Sequence, residues 1–191
     1  MTGEHRRERV ALVTGASGGI GRAVAERLGA DGMGVAVHYG RNAAEAGRTA
    51  DAVTAAGGRP LLVSGDVADE AEVATMFDEV EAHFGGVDVV VHTAGIMELA
   101  PLVDLDLAQF DRMHRSNVRG TFVVSQQAAR RVRSGGAIIN FSSSVVKLAT
   151  SADWRRTSSI NPSIAMREGS SSCGCAGNGG VVSSAMRVES R

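Results

Sequence analysis

Residues 10–22, Val-Ala-Leu-Val-Thr-Gly-Ala-Ser-Gly-Gly-Ile-Gly-Arg, constrain this chain more than any other stretch. Four apolar residues, Val10–Val13, break into a turn carrying Gly15, Gly18, Gly19 and Gly21, and the turn opens into a helical pattern. A strand that delivers a helix through such a turn leaves free backbone N–H groups and the positive end of the helix macrodipole facing one point, where an anion is stabilised. Glycines there let the backbone turn tightly, approach phosphates and pack helix on strand. The stretch is read as a dinucleotide seat formed by Gly15, Ser17, Gly18, Gly19, Ile20 and Gly21. Gly15-Ala16-Ser17-Gly18-Gly19 also fits the Gly-x-Ser-x-Gly nucleophile elbow, but that elbow sits on a strand deep in a sheet. Only a short, mostly polar segment precedes this strand, so the elbow is rejected.

The rest of the chain repeats the same alternation. Apolar runs recur at Val10–Val13, Gly34–Tyr39, Pro60–Ser64, Val87–His92 and Ala137–Phe141, with amphipathic stretches between them. Asp69–Phe84 puts Val73, Met76, Phe77, Val80 and Phe84 on one helical face, and the longest helical stretch, 106–132, carries Phe110, Met113, Val118, Phe122 and Val123. Five strands alternating with four helices predict an α/β fold, a Rossmann-type doubly wound parallel sheet of strand order 3-2-1-4-5.

Composition excludes several classes. A net charge of −1 without a dense basic patch gives no footing for nucleic acid or an anionic membrane surface. No apolar run approaches membrane-spanning length, and the polar start of the chain lacks a secretory core. The two cysteines, Cys173 and Cys175, make no disulfide framework and lack companion ligands for a metal, so a cytoplasmic, metal-free protein is expected.

After residue 150 the periodicity stops. Ten of the last 41 residues are serine, against eight in the first 150, with Gly/Ser clusters between them. The expected organisation is a dinucleotide-binding domain over 1–150 and an irregular, disordered Ser/Gly-rich tail over 151–191, with the sheet truncated after its fifth strand. Val181-Val182 is too short to supply a sixth.

With Thr14 the turn reads Thr-Gly-Ala-Ser-Gly-Gly-Ile-Gly, which resembles the signature of the short-chain dehydrogenase/reductase family. The resemblance runs over about 8–146 and is nearest to 3-oxoacyl-carrier-protein reductases. It implies an NADPH-dependent reduction of a small carbonyl substrate to a secondary alcohol. Independently, the end of the second strand carries no acid to take a ribose 2′-hydroxyl. Arg41, followed by Asn42, stands 20 residues after Gly21 and suits a 2′-phosphate, which favours NADP over NAD; the alternative is a solvated charge starting the next helix.

The family pattern assigns Asp66 and Val67 to the adenine, although Asp66 also reads as the cap of a helix starting near Ala68. His92-Thr93-Ala94-Gly95 stands where relatives commonly show Asn-Asn-Ala-Gly. Ala94 and Gly95 keep close passage of the cofactor, and His92 reads as a polar replacement that satisfies backbone groups. Asn117 matches the active-site Asn that supports a water relay. At the end of the fifth strand Ser143, with Ser144 as runner-up, takes the place of the Ser that positions the carbonyl.

The proton donor is missing. The family's Tyr-x-x-x-Lys falls at 156 and 160, where this chain has Arg156 and Ile160; its only tyrosine is Tyr39 and its only lysine Lys147. Neither Trp154 nor Arg155 nor Arg156 replaces a tuned hydroxyl. The break in composition and motif at one place suggests a shift of reading frame near 147–150, with a truncated paralogue as the alternative. Impaired catalysis is therefore expected. The alternative class is a non-catalytic NADP-binding or subunit-pairing protein, a homo-oligomer formed through 106–132 and weakened by the loss. A third outcome is a chain that folds poorly.

Overall fold

A strand flanked by parallel neighbours and covered on both faces has no polar side to show. β1 (Val10–Thr14) accordingly has all five residues buried. It pairs in parallel with β2 (Gly34–Tyr39) on one side and β4 (Val87–His92) on the other. β3 (Arg59–Ser64) continues the sheet beyond β2, and β5 (Val132–Ser142) continues it beyond β4, again in parallel. These are the five expected strands in the expected order. A sixth, β6 (Val182–Arg187), flanks β5 and gives the order β3-β2-β1-β4-β5-β6. The sequence reading stopped the sheet at β5, because Val-Ser-Ser-Ala-Met-Arg carries too little apolar pattern to announce a strand.

The computed structural model describes residues 7–142 and 182–187. The chain divides into two units, 1–140 with 184–191, and 141–183. Of the second, only 141–142 and 182–183, the ends of β5 and β6, are described. Ser143, Ser144, Lys147 and the stretch holding Arg156, Ile160, Cys173 and Cys175 lie outside the described residues.

Four helical stretches alternate with the strands: α1 (Gly19–Ala30), α2 (Ala43–Ala55), α3 (Glu70–Phe84) and a long one. The long stretch consists of α4 (Leu107–His114), a π-helical turn (Arg115–Arg119) and α5 (Gly120–Arg131). α3 buries Val73, Met76, Phe77 and Val80, the stripe expected from its period, against Val123, Val124 and Ala128 of α5 and Leu12, Val90 and Ile138 of the sheet. Phe77 is wholly buried at the centre of this cluster, and truncating such a ring to alanine costs about 3–5 kcal/mol.

β5 starts at Val132, five residues before the expected Ala137, with a register shift between Val87 and Val89 of its partner. The segment Arg133-Ser134-Gly135-Gly136 hides this start from an apolar count. At the amino end of β4 the buried Asp88 accepts from Val10 N–H at 2.8 Å and pairs with Arg7 and Arg133. The opposite, carboxyl ends of the strands are left for loops. Among the described residues no helix is long and apolar enough to cross a membrane.

Candidate functional site

The loops leaving the carboxyl ends of β1 to β4 surround a cleft of about 980 Å³. Its floor is the glycine turn. Gly15 has φ +68°, and a Cβ there would stand 2.7 Å from Ala94 Cα, so only glycine lets the ends of β1 and β4 close together. At Gly21 a Cβ would meet Thr93 Oγ1 at 2.5 Å. Side chains from three other elements hold the turn. The Thr93 hydroxyl donates to Thr14 O at 2.6 Å, the Thr49 hydroxyl to Ala16 O at 2.9 Å, and Gly15 N–H donates to His38 Nδ1 at 3.2 Å.

The N-terminus of α1 is unlike the starts of the next three helices. Asn42, Asp69 and Asp106 cap α2, α3 and α4 with side-chain oxygens, whereas Gly18 brings α1 none and its first turn carries no acid. Among the described residues, a Cβ at Gly18 or Gly19 would meet nothing within 4 Å, so the space before these amides is open. Gly15, Ser17, Gly18, Gly19, Ile20 and Gly21 all line the cleft. Unclaimed amides and a helix dipole converge there on a space that suits an anion.

The other end of the cleft is formed by Arg41, Ser64, Gly65, Asp66 and Val67. Arg41 is exposed and enters no ion pair among the described residues. Asp66 Oδ1 accepts from Ala68 N–H at 2.9 Å, while Oδ2 takes the Arg115 guanidinium. Partial burial opposes ionisation of Asp66, but Ala68 N–H, Arg115 and the nearby Arg41 outweigh it and hold the carboxyl below its usual range. Asp66 is not the helix cap that the sequence also allowed. That place belongs to Asp69, whose Oδ1 accepts from Ala71 and Glu72 N–H, and α3 begins at Glu70 rather than near Ala68.

Three expected site residues, Asn42, His92 and Asn117, do not line the cleft. Asn42 turns to α2, where its side chain accepts from Glu45 N–H at 3.3 Å. His92 is buried behind the wall formed by Thr93, Ala94 and Gly95. Its Nδ1 is hydrogen-bonded to the Thr14 hydroxyl at 2.8 Å, and its Nε2 has no partner among the described residues. It therefore meets a hydroxyl rather than the backbone groups the sequence reading gave it. Burial, with His38 nearby, pushes its pKa down to about 4, so the ring is neutral at pH 7.

Asn117 lies in the π-helical turn, and both ends of its amide engage one residue. Ile96 N–H donates to its Oδ1 at 2.8 Å, and its Nδ2 donates to Ile96 O at 2.7 Å. The loop after β4 is thereby tied to the long helix at the cleft wall. Ala94 and Gly95 line the cleft as expected, and Gly95 sits against Asn117, whose Oδ1 would be 3.1 Å from a Cβ there.

Sequence reasoning missed His38, Glu98, Arg112 and Arg115, which also line the cleft. The signal for His38 was a polar residue inside an apolar strand, a position that demands partners. Arg112 and Arg115, three apart on the long helix, pair with Glu98 and Asp66 from two different loops. The spacing was visible, but neither partner was.

The sequence pattern described as short chain dehydrogenase matches residues 9–154. The short chain dehydrogenase claC of Passalora fulva is 38% identical over 139 residues, 73% of this chain and 52% of that protein. Versicolorin reductase 1 of Aspergillus parasiticus is 40% identical over 75% of this chain and 55% of that protein. The chain thus spans about half the length of the curated relatives it matches. A short chain dehydrogenase from Burkholderia cenocepacia, solved in complex with NADP, superposes with TM-score 0.71 at 36% identity, covering 83% of this chain and 65% of that one. A short-chain dehydrogenase/reductase from Serratia marcescens superposes with TM-score 0.66 at 42% identity, over 71% and 56%.

Proposed function

This chain belongs to the short-chain dehydrogenase family, and on that premise we propose that its cleft binds NADP(H) and that turnover of a carbonyl substrate is impaired. The observation that carries the binding half is the uncapped start of α1 beneath an open, glycine-lined space, with the exposed Arg41 at the far end of the same cleft. The residues present fit the cofactor. The amides of 17–21 receive the pyrophosphate, and Arg41 receives the 2′-phosphate. Asp66, held ionised, accepts from the adenine amino group beside Val67, and the backbone of Ala94 and Gly95 lets the nucleotide pass closely. NADP-bound neighbours of the same fold support this assignment.

When bound, the nicotinamide supplies a hydride to a carbonyl carbon. The chain's own residues would orient that carbonyl and protonate its oxygen. Ser143 would position the carbonyl. Asn117, with both ends of its amide on Ile96, holds the loop after β4 and keeps one N–H of Nδ2 and one lone pair of Oδ1 to offer a water. No Tyr-x-x-x-Lys pair is present to give the proton: the one tyrosine, Tyr39, ends β2 and does not line the cleft. Loss of a positioned general acid removes about 10²–10⁴-fold in rate. The relatives named versicolorin reductase support the reductive direction for the family chemistry.

The test is NADPH oxidation with a 3-oxoacyl thioester or a simple diketone, run beside a binding titration. Saturable NADPH binding with oxidation at background is the expected result. Turnover at ordinary enzymatic rates, about 1–10³ s⁻¹, would show that another group in this chain donates the proton.

A further inference from the structure

His38 is 2% exposed near the end of β2, yet its ring borders the cleft. Its two ring nitrogens have partners of opposite kind. Gly15 N–H can only donate, so Nδ1, 3.2 Å away, is the bare nitrogen. The Gly65 carbonyl can only accept, so Nε2, 3.0 Å away, carries the hydrogen. A charged ring would set N–H against N–H at Gly15. The backbone joins in, since Ala16 N–H donates to the His38 carbonyl at 2.9 Å. One residue thus holds two successive amides of the glycine turn and, from the same ring, the loop leading to Asp66. Burial pushes the imidazole pKa down against the opposing pull of Gly65 O and the Asp66 carboxylate. The charged or titratable groups nearest the ring are Asp66 from the β3–α3 loop and His92 from β4.

We propose that His38 is a positioning residue for the cofactor. Its neutral ring, spanning Gly15 N–H and Gly65 O, fixes the glycine turn in the conformation that turns the amides of 17–21 toward the pyrophosphate. The affinity consequence rests on the NADP(H) reading above; the hold on the turn does not.

Two substitutions divide the ring's work. In His38→Asn the side-chain oxygen stands where Nδ1 stood and keeps the bond from Gly15. In His38→Gln the side-chain nitrogen reaches toward the place of Nε2 and keeps Gly65, leaving Gly15 N–H without its acceptor. Neither side chain titrates. In cofactor-free protein, nitrogen NMR of the wild-type ring is expected to report a bare Nδ1 and a protonated Nε2 at pH 7. Amide exchange at Gly15 is expected to accelerate at least tenfold in His38→Gln and to stay near wild type in His38→Asn. NADPH affinity should follow the same asymmetry, about tenfold weaker for Gln and within about threefold of wild type for Asn, a difference near 1.4 kcal/mol. Equal melting temperatures for the two variants would separate positioning from general stability. A protonated Nδ1 in the wild type, or equal Gly15 exchange in both variants, would overturn the assignment. Absence of NADPH binding by the wild type would sink the cofactor reading alone, because ring tautomer and Gly15 exchange still decide what His38 does.

Discussion

Gly15 and Gly18 differ in what they ask of the chain, although both belong to one motif. At Gly15 an added Cβ meets the Ala94 backbone at 2.7 Å, from a φ of +68° that L-residues avoid. Gly15→Ala should cost about 2–4 kcal/mol, the sum of left-handed strain and overpacking. At Gly18 the backbone is extended and the surroundings are open. Gly18→Ala should leave stability within about 0.5 kcal/mol, as ordinary exposed sites do. Urea denaturation of the two variants checks this, and equal midpoints would mean that the approach of β1 to β4 does not govern the turn. The glycines were legible in the sequence because their spacing is a local pattern. His38 was not, since an apolar strand gives no sign that its polar residue will meet Gly15 and Gly65, which are 23 and 27 positions away in the chain. Asp66 misled for the opposite reason. An acid before a helix fits a cap locally, but Asp69 also fits, and only the structure shows which one the helix uses.

At the level of elements, the apolar pattern sufficed for β1 to β4 and for α3: β1, β2, β4 and α3 bury a run or a regular stripe, while β3, at the sheet edge, buries only Val63. It failed where pairing rather than burial makes the strand. The first part of β5 is carried by glycines and a bulge, and β6 mixes Ser183, Ser184 and Arg187 with three apolar residues in no alternating order. The π-helical turn at Arg115–Arg119 was likewise unseen, since one extra residue in a helical turn leaves almost no trace in the pattern. That turn places Asn117 opposite Ile96, and the pair of hydrogen bonds between them has a checkable consequence. Asn117→Ala should speed amide exchange at Ile96 by about tenfold, as expected for losing hydrogen bonds of roughly 1 kcal/mol each, with α5 unaffected. Unchanged exchange at Ile96 would mean that the loop is held by the Glu98–Arg112 pair instead. The stretch around α4 also leaves Leu99, Leu102, Val103, Leu107, Phe110 and Phe122 exposed. Apolar patches of this kind favour self-association, so Phe122→Asp should lower the apparent mass in light scattering if the chain pairs through this helix. An unchanged mass would mean that the chain does not pair through this surface.

Among the described residues, the buried charged and imidazole groups fall at the two ends of the sheet. At the amino end, Asp88 is matched by Arg7 and Arg133. At the carboxyl end lie two neutral histidines, His38 and His92, beside the cleft. The native pKa of His92 is lowered to about 4 from an ordinary 6.5. The unfolded chain therefore binds more protons than the native one between those values. Stability from this group is complete above pH 6.5 and is lost as pH falls toward 4, by about 3 kcal/mol, with His38 acting in the same direction. The urea midpoint should fall over that window and fall less in His92→Asn; a midpoint flat from pH 7 to 4.5 would contradict the burial of a neutral ring. At the same carboxyl end lies the proposed seat for a 2′-phosphorylated dinucleotide. The most direct test is a fluorescence titration of the chain with NADPH and with NADH, repeated on Arg41→Ala. NADPH should bind about tenfold or more tightly than NADH, as one charge-assisted phosphate contact gives, and Arg41→Ala should erase the difference while leaving NADH binding unchanged. Equal affinity for the two nucleotides in the wild type, or no binding of either, would contradict it.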